Sequence, residues 1–175
     1  MYEGKAKLTL DKLMNSTRRF DPARVTRTQQ ITINIKDIIP YFGTKSMLFR
    51  GDSISGSVDA HYITIISFYD IEYIQEEFKR GMMKFEGPNG EPIIADVPSY
   101  RKTPVRIYCS CADYYFTWAY PNLAKNAHYG RKPKPYRRVV PDSGLPRRNP
   151  TNIEGMCKHV INMINVLHGE RFLGR

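Results

Sequence analysis

The chain is poor in cysteine, histidine and acidic side chains, and each shortage excludes a class of protein. Its 175 residues include three cysteines and four histidines. Three cysteines are too few for the disulfide framework of a small secreted domain, so we expect cytosolic thiols or metal ligands. Asp and Glu number 17 against 27 Lys and Arg, a formal net charge of +10. That charge favours nucleic acid, an anionic membrane surface or an acidic protein as partner, or serves solubility alone.

Long apolar runs and catalytic motifs are also lacking. No stretch approaches the roughly 18 to 20 apolar residues that span a bilayer. The N-terminal MYEGKAKLTLDKL has no signal-peptide apolar core. There is no nucleophile elbow, phosphate-binding glycine loop or carboxylate pair, and His61, His128 and His168 are scattered. We therefore expect a non-enzymatic protein, made in the cytoplasm, without a membrane span.

The hydrophobic pattern predicts an N-terminal arm over residues 1–30 and a single α+β domain over residues 31–175. The arm is polar and basic, with Leu8, Leu10, Leu13 and Met14 able to form a short helical face. ITINIKDII then alternates apolar and polar residues, as a half-buried strand does. AHYITIISFYDI and TPVRIYCSC are rich in β-branched and aromatic residues and predict two further strands.

Three segments are predicted as helices. EYIQEEFKRGMMKFE predicts a helix from about Ile71 to Met83, or a helical turn within a long connection. ADYYFTWAY predicts a short helix that ends before Pro121. NIEGMCKHVINMINVLHGERFL predicts a closing helix with Val160, Met163, Ile164 and Leu167 on one face. The predicted fold is thus a small, mainly antiparallel sheet followed by a C-terminal helix, with residues 112–156 as an inserted, proline-rich loop region.

All three cysteines belong to one pattern, C-x-C followed by C-x-H, formed by Cys109, Cys111, Cys157 and His159. Three thiolates and one imidazole match a tetrahedral structural zinc site. We expect a turn after the strand, at which Cys109 and Cys111 serve one site. The start of the last helix supplies the other pair, where the helix dipole would lower the pKa of Cys157.

The residues leave open that no metal is bound, and they also bear on other kinds of metal site. Buried single cysteines behave as small apolar side chains, and His159 could be an ordinary first-turn residue. An iron–sulfur cluster usually requires four cysteines, and a catalytic zinc keeps an open position that a set of four ligands fills. A zinc deaminase would need an H-x-E type motif, which CSCAD and CKH do not contain.

The C-x-C and C-x-H pairs resemble the SWIM-type zinc finger, in which a strand pair and a helix hold one zinc ion. The resemblance implies Cys109, Cys111, Cys157 and His159 as its ligands. The spacer between the two pairs departs from that family because it is longer than usual. Here the spacer would be an insertion carried on the finger.

The stretches GSVDAHYITIISF, VRIYCSCADYYFTWAY and GMCKHVINMI also resemble a group of tailed-bacteriophage virion proteins, over roughly residues 45 to 170. The resemblance implies a structural assembly protein of the virion, in the baseplate, tail or neck. Its partners would be other virion proteins in a symmetric, multi-copy assembly. It would be made in the host cytoplasm and retained in the virion.

The loop between the two ligand pairs is basic and carries interleaved tyrosines, which predicts a partner-binding surface. Tyrosine and arginine dominate protein interfaces, and a proline-rich loop loses little entropy on docking, which favours a protein partner. Basic and aromatic residues also grip single-stranded nucleic acid, so a zinc-finger nucleic-acid-binding protein is the alternative. The predicted contact residues are Lys125, Arg131, Lys132, Lys134, Tyr136, Arg137, Arg138, Arg147 and Arg148.

Overall fold

The computed structural model describes residues 5–26, 31–55, 60–74, 78–134 and 149–175. The helices are α1 (Leu10–Phe20), α2 (Pro22–Thr26), a single π-helical turn (Tyr114–Trp118), α3 (Ala119–Ala124) and α4 (Lys158–Gly169). The strands are β1 (Ile31–Tyr41), β2 (Ser46–Ser55), β3 (Ala60–Phe68), β4 (Tyr73–Ile74), β5 (Met82–Glu86), β6 (Pro92–Asp96) and β7 (Val105–Cys109).

The larger sheet has four strands in the order β1-β2-β3-β7, and every pairing in it is antiparallel. The first two strands shift register between Ile35 and Asp37, as at a β-bulge, which bends the strand and increases its twist. Strand β7 is added beside β3, with Thr64 opposite Cys109. The predicted α+β class, with a mainly antiparallel sheet and a C-terminal helix, is confirmed.

Helix α4 contacts β1, β3 and β7, and its apolar side chains enter the core beside those of the sheet. Val160, Met163, Ile164 and Leu167, the face expected from helical spacing, are all buried. Asn162 adds a polar link by donating a hydrogen bond to the carbonyl of Ile31. The helix that carries two of the predicted ligands is therefore fixed against the strand that carries another.

The segment assigned to the N-terminal arm contributes a helix to this same core. In α1, Leu10 and Leu13 are completely buried, and Thr9 caps the helix by accepting a hydrogen bond from the Lys12 amide. Two further backbone bonds bind the segment to the domain, from Asp11 to Tyr100 and from Val105 to Leu8. Among residues 5–26, the apolar helical face is thus an internal part of the domain rather than an extension from it.

The helix predicted from about Ile71 to Met83 is wrong. Residues 73–74 are β4, and β5 begins at Met82 and forms a hairpin with β6, so that a second sheet has the order β4-β6-β5. In β5, Met83 and Phe85 are buried while Lys84 is exposed, the alternation of a strand with one face on a core. Pairing with β6 makes residues 73–74 and 82–86 strands, and pairing of this kind overrides local helical propensity.

The short helix predicted after Cys111 is present but continues further than expected. Pro121 lies inside α3 rather than beyond its end. A π-helical turn precedes it, a rare geometry that is frequent at functional sites. Among the described residues, no helix combines the length and apolar character that a membrane crossing needs.

Candidate metal centre

The four predicted ligands meet at one point in the fold. The ligand atoms of Cys109, Cys111, Cys157 and His159 all lie within 4.8 Å of one another. Ligand atoms around a tetrahedral ion bound to thiolates are about 3.8 Å apart. Each of the four residues is at most 3% exposed. The cluster is close enough to hold a metal ion and is shielded from water.

The first pair is placed by the end of β7 and the turn that follows. Cys109 is the last residue of the strand, and it faces the core on the same side as Val105 and Ile107. Ser110 then bonds both ways to Ile63 on β3, its amide donating to the carbonyl and its hydroxyl accepting from the amide. In the turn that follows the strand, Cys111 is buried beside Cys109.

The second pair is placed by the start of α4. Cys157 is the residue that precedes the first turn, and its carbonyl accepts the first helical bond, from the Ile161 amide. His159 lies in that first turn. Because Cys157 is extended and His159 is helical, two residues separated by Lys158 can face the same point.

Buried side chains hold the backbone that leads into Cys157. The Asn122 side chain forms a two-way amide bond with Gly155, donating to its carbonyl at 2.9 Å and accepting from its amide at 3.0 Å. The Thr17 hydroxyl accepts from the Met156 amide at 2.9 Å. Residues from α1 and α3 therefore set the position of the ligand, which the cysteine and histidine pattern alone did not reveal.

Gly155 is required in this clamp because the backbone passes too close to its neighbours for a side chain. A Cβ at this position would lie 2.4 Å from the Trp118 ring and 2.8 Å from the Thr17 hydroxyl. Such distances are far inside van der Waals contact. The glycine therefore permits the close approach of the ligand-bearing segment to α1 and the π-helical turn.

Two further residues donate hydrogen bonds to the sulfur atoms. The Thr64 hydroxyl donates to Cys109 Sγ at 3.7 Å, and the Tyr114 amide donates to Cys111 Sγ at 3.3 Å. Donors of this kind orient metal-bound thiolates and stabilise their charge. Sequence reasoning missed both. The position of Tyr114, three residues after Cys111 at the start of a helix, is the one local signal for its amide.

The electrostatics of the cluster oppose three thiolates without a cation. Burial, together with the neighbouring Cys111, raises the pKa of Cys109 to about 12. Burial likewise raises the pKa of Cys157 well above its usual range, and the neighbouring Cys109 and Cys111 raise it further. Hydrogen bonds from the other two thiols lower the pKa of Cys111. A bound divalent cation would supply the charge that lets all three ionise.

His159 provides the independent test of whether a metal fits. Neither nitrogen of its buried ring has a hydrogen-bond partner among the described residues, although the ring packs on Tyr62 with centroids 4.7 Å apart. Buried polar atoms are nearly always paired, and leaving one unpaired is costly. A metal ion at the centre of the cluster would bind one of these nitrogens, so the donor set fits the group that its chemistry suggests.

The predicted partner-binding residues are described only in part. Arg131, Lys132 and Lys134 are exposed and line one side of a cavity next to the π-helical turn, whereas Lys125 is exposed at the end of α3 and does not line it. The remaining five lie outside the described residues: Tyr136, Arg137, Arg138, Arg147 and Arg148.

Comparisons of the chain with protein-family models, with curated proteins and with solved structures find no match.

Proposed function

We propose that this protein is a non-catalytic assembly protein in which a structural zinc ion joins β7 to α4. One observation carries the proposal: four buried donors from two distant segments converge, and the imidazole among them has no hydrogen-bond partner in the described part of the chain. Three sulfurs and one nitrogen in a closed set are typical of structural zinc sites. The metal would hold together the segments on either side of residues 112–156.

The donor set supports a mechanical role for the metal rather than a catalytic one. Catalytic zinc has three protein ligands and a position for water or substrate, whereas this cluster offers four ligands. All four are buried, so substrate has no direct approach through them. Structural zinc can supply about 10 kcal/mol of folding free energy, which is comparable to the stability of a whole small domain.

The assembly proposed is a tailed-phage virion, with the protein in its baseplate, tail or neck. The resemblance of the three stretches quoted above supports this, as do several large aromatic side chains that the described surface leaves exposed. Aromatic residues of this kind are enriched at protein interfaces. The exposed aromatics are Tyr41, Phe42, Phe78, Tyr115, Phe116 and Tyr120.

Metal analysis and a thermal melt test the zinc. Purified protein should contain one zinc per chain by elemental mass spectrometry, and removing it with a chelator should cause a large loss of stability. A metal-free protein with an unchanged melt would contradict the proposal.

Mass spectrometry of purified particles tests the assembly: the chain should remain in the particles at a fixed copy number, rather than stay in the lysate of infected cells.

A nucleic-acid-binding protein is the second candidate function. The observation that favours it is the cavity lined by three of the predicted basic residues and by tyrosines. Cationic grooves with stacking platforms are typical of proteins that bind single strands.

A further inference from the structure

A cavity of about 540 Å³ lies beside the metal centre, on the outer side of β7 and the π-helical turn. Its volume falls in the range of small-ligand sites, about 300 to 1,000 Å³. It is formed by segments far apart in sequence: Ile65 from β3, Tyr108 from β7, Tyr115 from the π-helical turn and the stretch from His128 to Lys134.

The lining combines aromatic faces with positive charge. Tyr108, Tyr115 and Tyr129 supply the rings, and Arg131, Lys132 and Lys134 supply three cations. No acidic residue is among the described residues that line the cavity. The chemistry therefore suits a ligand that is both planar and anionic.

The wall that carries the cations is held rigidly against the sheet. The Tyr129 amide donates to the Ile107 carbonyl at 2.9 Å, and a parallel bridge joins Ile107 to His128. His128 is buried, its Nε2 lies 3.0 Å from the Arg131 carbonyl, and its ring stacks on Tyr114. A preformed site spends less free energy on ordering when the ligand binds.

We propose that this cavity binds single-stranded nucleic acid, with an unpaired base against its tyrosines and phosphates on Arg131, Lys132 and Lys134. The inference deepens the second candidate function by naming the site and the form of the ligand. A recess of this shape accepts a base that is free to leave the stack, whereas the bases of a duplex are covered on both faces. An acidic peptide would satisfy the cations but would leave the aromatic faces without a stacking partner.

The test uses the full chain, as purified, and a fluorescent oligothymidylate of about 12 nucleotides, a length within known single-strand site sizes. Anisotropy should show binding that weakens with salt, with a log–log slope of about −2 for three phosphates. An oligouridylate and a duplex of mixed sequence complete the set. Comparison of the oligouridylate with the oligothymidylate shows whether the site binds RNA or DNA strands more tightly. The duplex should bind more weakly than either.

Two pairs of variants test the cavity residues. Tyr115→Ala should weaken oligothymidylate binding about fivefold or more through lost stacking. Tyr120→Ala is its matched control, because the two tyrosines are 41% and 44% exposed and Tyr120 does not line the cavity. Lys132→Ala should reduce the salt slope, whereas Lys102→Ala, an exposed lysine outside the cavity, should leave it unchanged.

Several results would overturn the inference: no binding at low salt, equal losses in the Tyr115 and Tyr120 variants, duplex binding as tight as single-strand binding, or displacement by polyglutamate as efficient as by unlabelled oligothymidylate. Metal content and melting temperature are measured on the same samples. Lost nucleic-acid binding with the metal retained would contradict only the cavity. Binding by a metal-free protein would contradict only the zinc.

Discussion

Two regions of this molecule are held together by different kinds of interaction. The metal side, which comprises β7, the π-helical turn, α3 and residues 155–169, adds to its share of the apolar core several buried polar contacts between residues far apart in sequence. The small sheet of β4, β6 and β5 depends on apolar side chains along one face. Specific contacts concentrate stability in individual atoms, whereas an apolar face distributes it over area.

The polar contacts of the metal side are long-range in sequence. Asn122 and Thr17 hold the backbone at Gly155 and Met156, and Ser16 on α1 donates to the Glu154 carboxylate at 3.1 Å. The four candidate ligands add a connection from the start of α4 to the end of β7. Removing one partner from such a network leaves a buried group unsatisfied, so single substitutions here should have large and specific effects.

The small sheet shows the opposite pattern. Met83, Phe85, Ile93 and Ala95 alternate with exposed residues, so that one face is buried and the other is open. The Tyr73 hydroxyl joins it to the larger sheet, donating to the Ser46 carbonyl at 2.6 Å and accepting from the Tyr41 amide at 3.3 Å. Truncation of any one apolar side chain should lower stability without affecting metal content.

The largest expected effect comes from Cys157→Ser, compared with Met83→Ala. Loss of a ligand should abolish metal binding and remove much of the roughly 10 kcal/mol that a structural zinc supplies. Hydrogen exchange should show that α4 and α3 lose protection while β1, β2 and β3 remain partly paired. Met83→Ala should cost about 2–5 kcal/mol and leave the metal in place.

A Cys157→Ser variant that melts like the parent would remove the distinction between the two regions. So would zinc loss in the Met83→Ala variant, because that substitution lies in the small sheet and away from the ligands. Elemental mass spectrometry and thermal melts of both variants provide the comparison.

A smaller effect tests the close packing of the metal side. Alanine substitution at two glycines should change the stability in opposite directions. Gly155→Ala should destabilise the protein by about 1–3 kcal/mol, because the new methyl group would overlap the Trp118 ring. Gly169→Ala at the end of α4 meets nothing within 4 Å and should stabilise by up to about 1 kcal/mol. Urea denaturation measures both, and equal effects of the two substitutions would contradict the clamp.

The smallest effect is the response to acid, which we expect at His128, whose ring stacks on Tyr114 of the metal side, and not in the small sheet, since residues 73–96 contain no histidine. Burial lowers the pKa of His128 from its usual value. The unfolded chain therefore takes up a proton before the folded one does. The stability contributed by neutral His128 is complete above pH 6.5 or so and is lost as the pH falls through the lower folded pKa.

Melts between pH 8 and pH 5 check this. The parent should lose stability more steeply than His128→Gln, a variant that keeps a donor for the Arg131 carbonyl and does not titrate. The extra slope cannot exceed about 1.4 kcal/mol per pH unit for one group. Metal content measured at each pH distinguishes the titration of His128 from protonation of the metal ligands. Identical slopes of stability against pH in the two proteins would contradict the prediction.

Elements that are specified by a pattern within one short segment of the sequence were predictable. Alternation over residues 31–39 predicted β1, and the β-branched and aromatic residues from 60 onward predicted β3. Helical spacing predicted the buried face of α4. The grouping of the four donors into one cluster is also confirmed, because the C-x-C and C-x-H spacings each imply a turn or a helix start at the ligands. In these segments the local pattern and the final packing agree.

Elements that depend on a distant partner were not predictable. The charged residues before Met82 suggested a helix, and only pairing with β6 makes the region from Met82 a strand. The polar N-terminal segment suggested an arm because its few leucines become informative only once α1 packs against the core. Gly155 and Asn122 gave no signal, since their partnership exists only after the chain has folded.

The sequence by itself determined the chemistry of this protein: three thiols and an imidazole at ligand spacing, a basic and aromatic loop, and the period of its main strands and last helix. Only the tertiary structure decided that the two ligand pairs meet within 4.8 Å, that α1 supports one of them, and that tyrosines and cations from separate segments share a cavity. The physical reason is that spacing along the chain specifies local geometry. Contacts between distant segments arise instead from the burial of a common core, which no short pattern encodes.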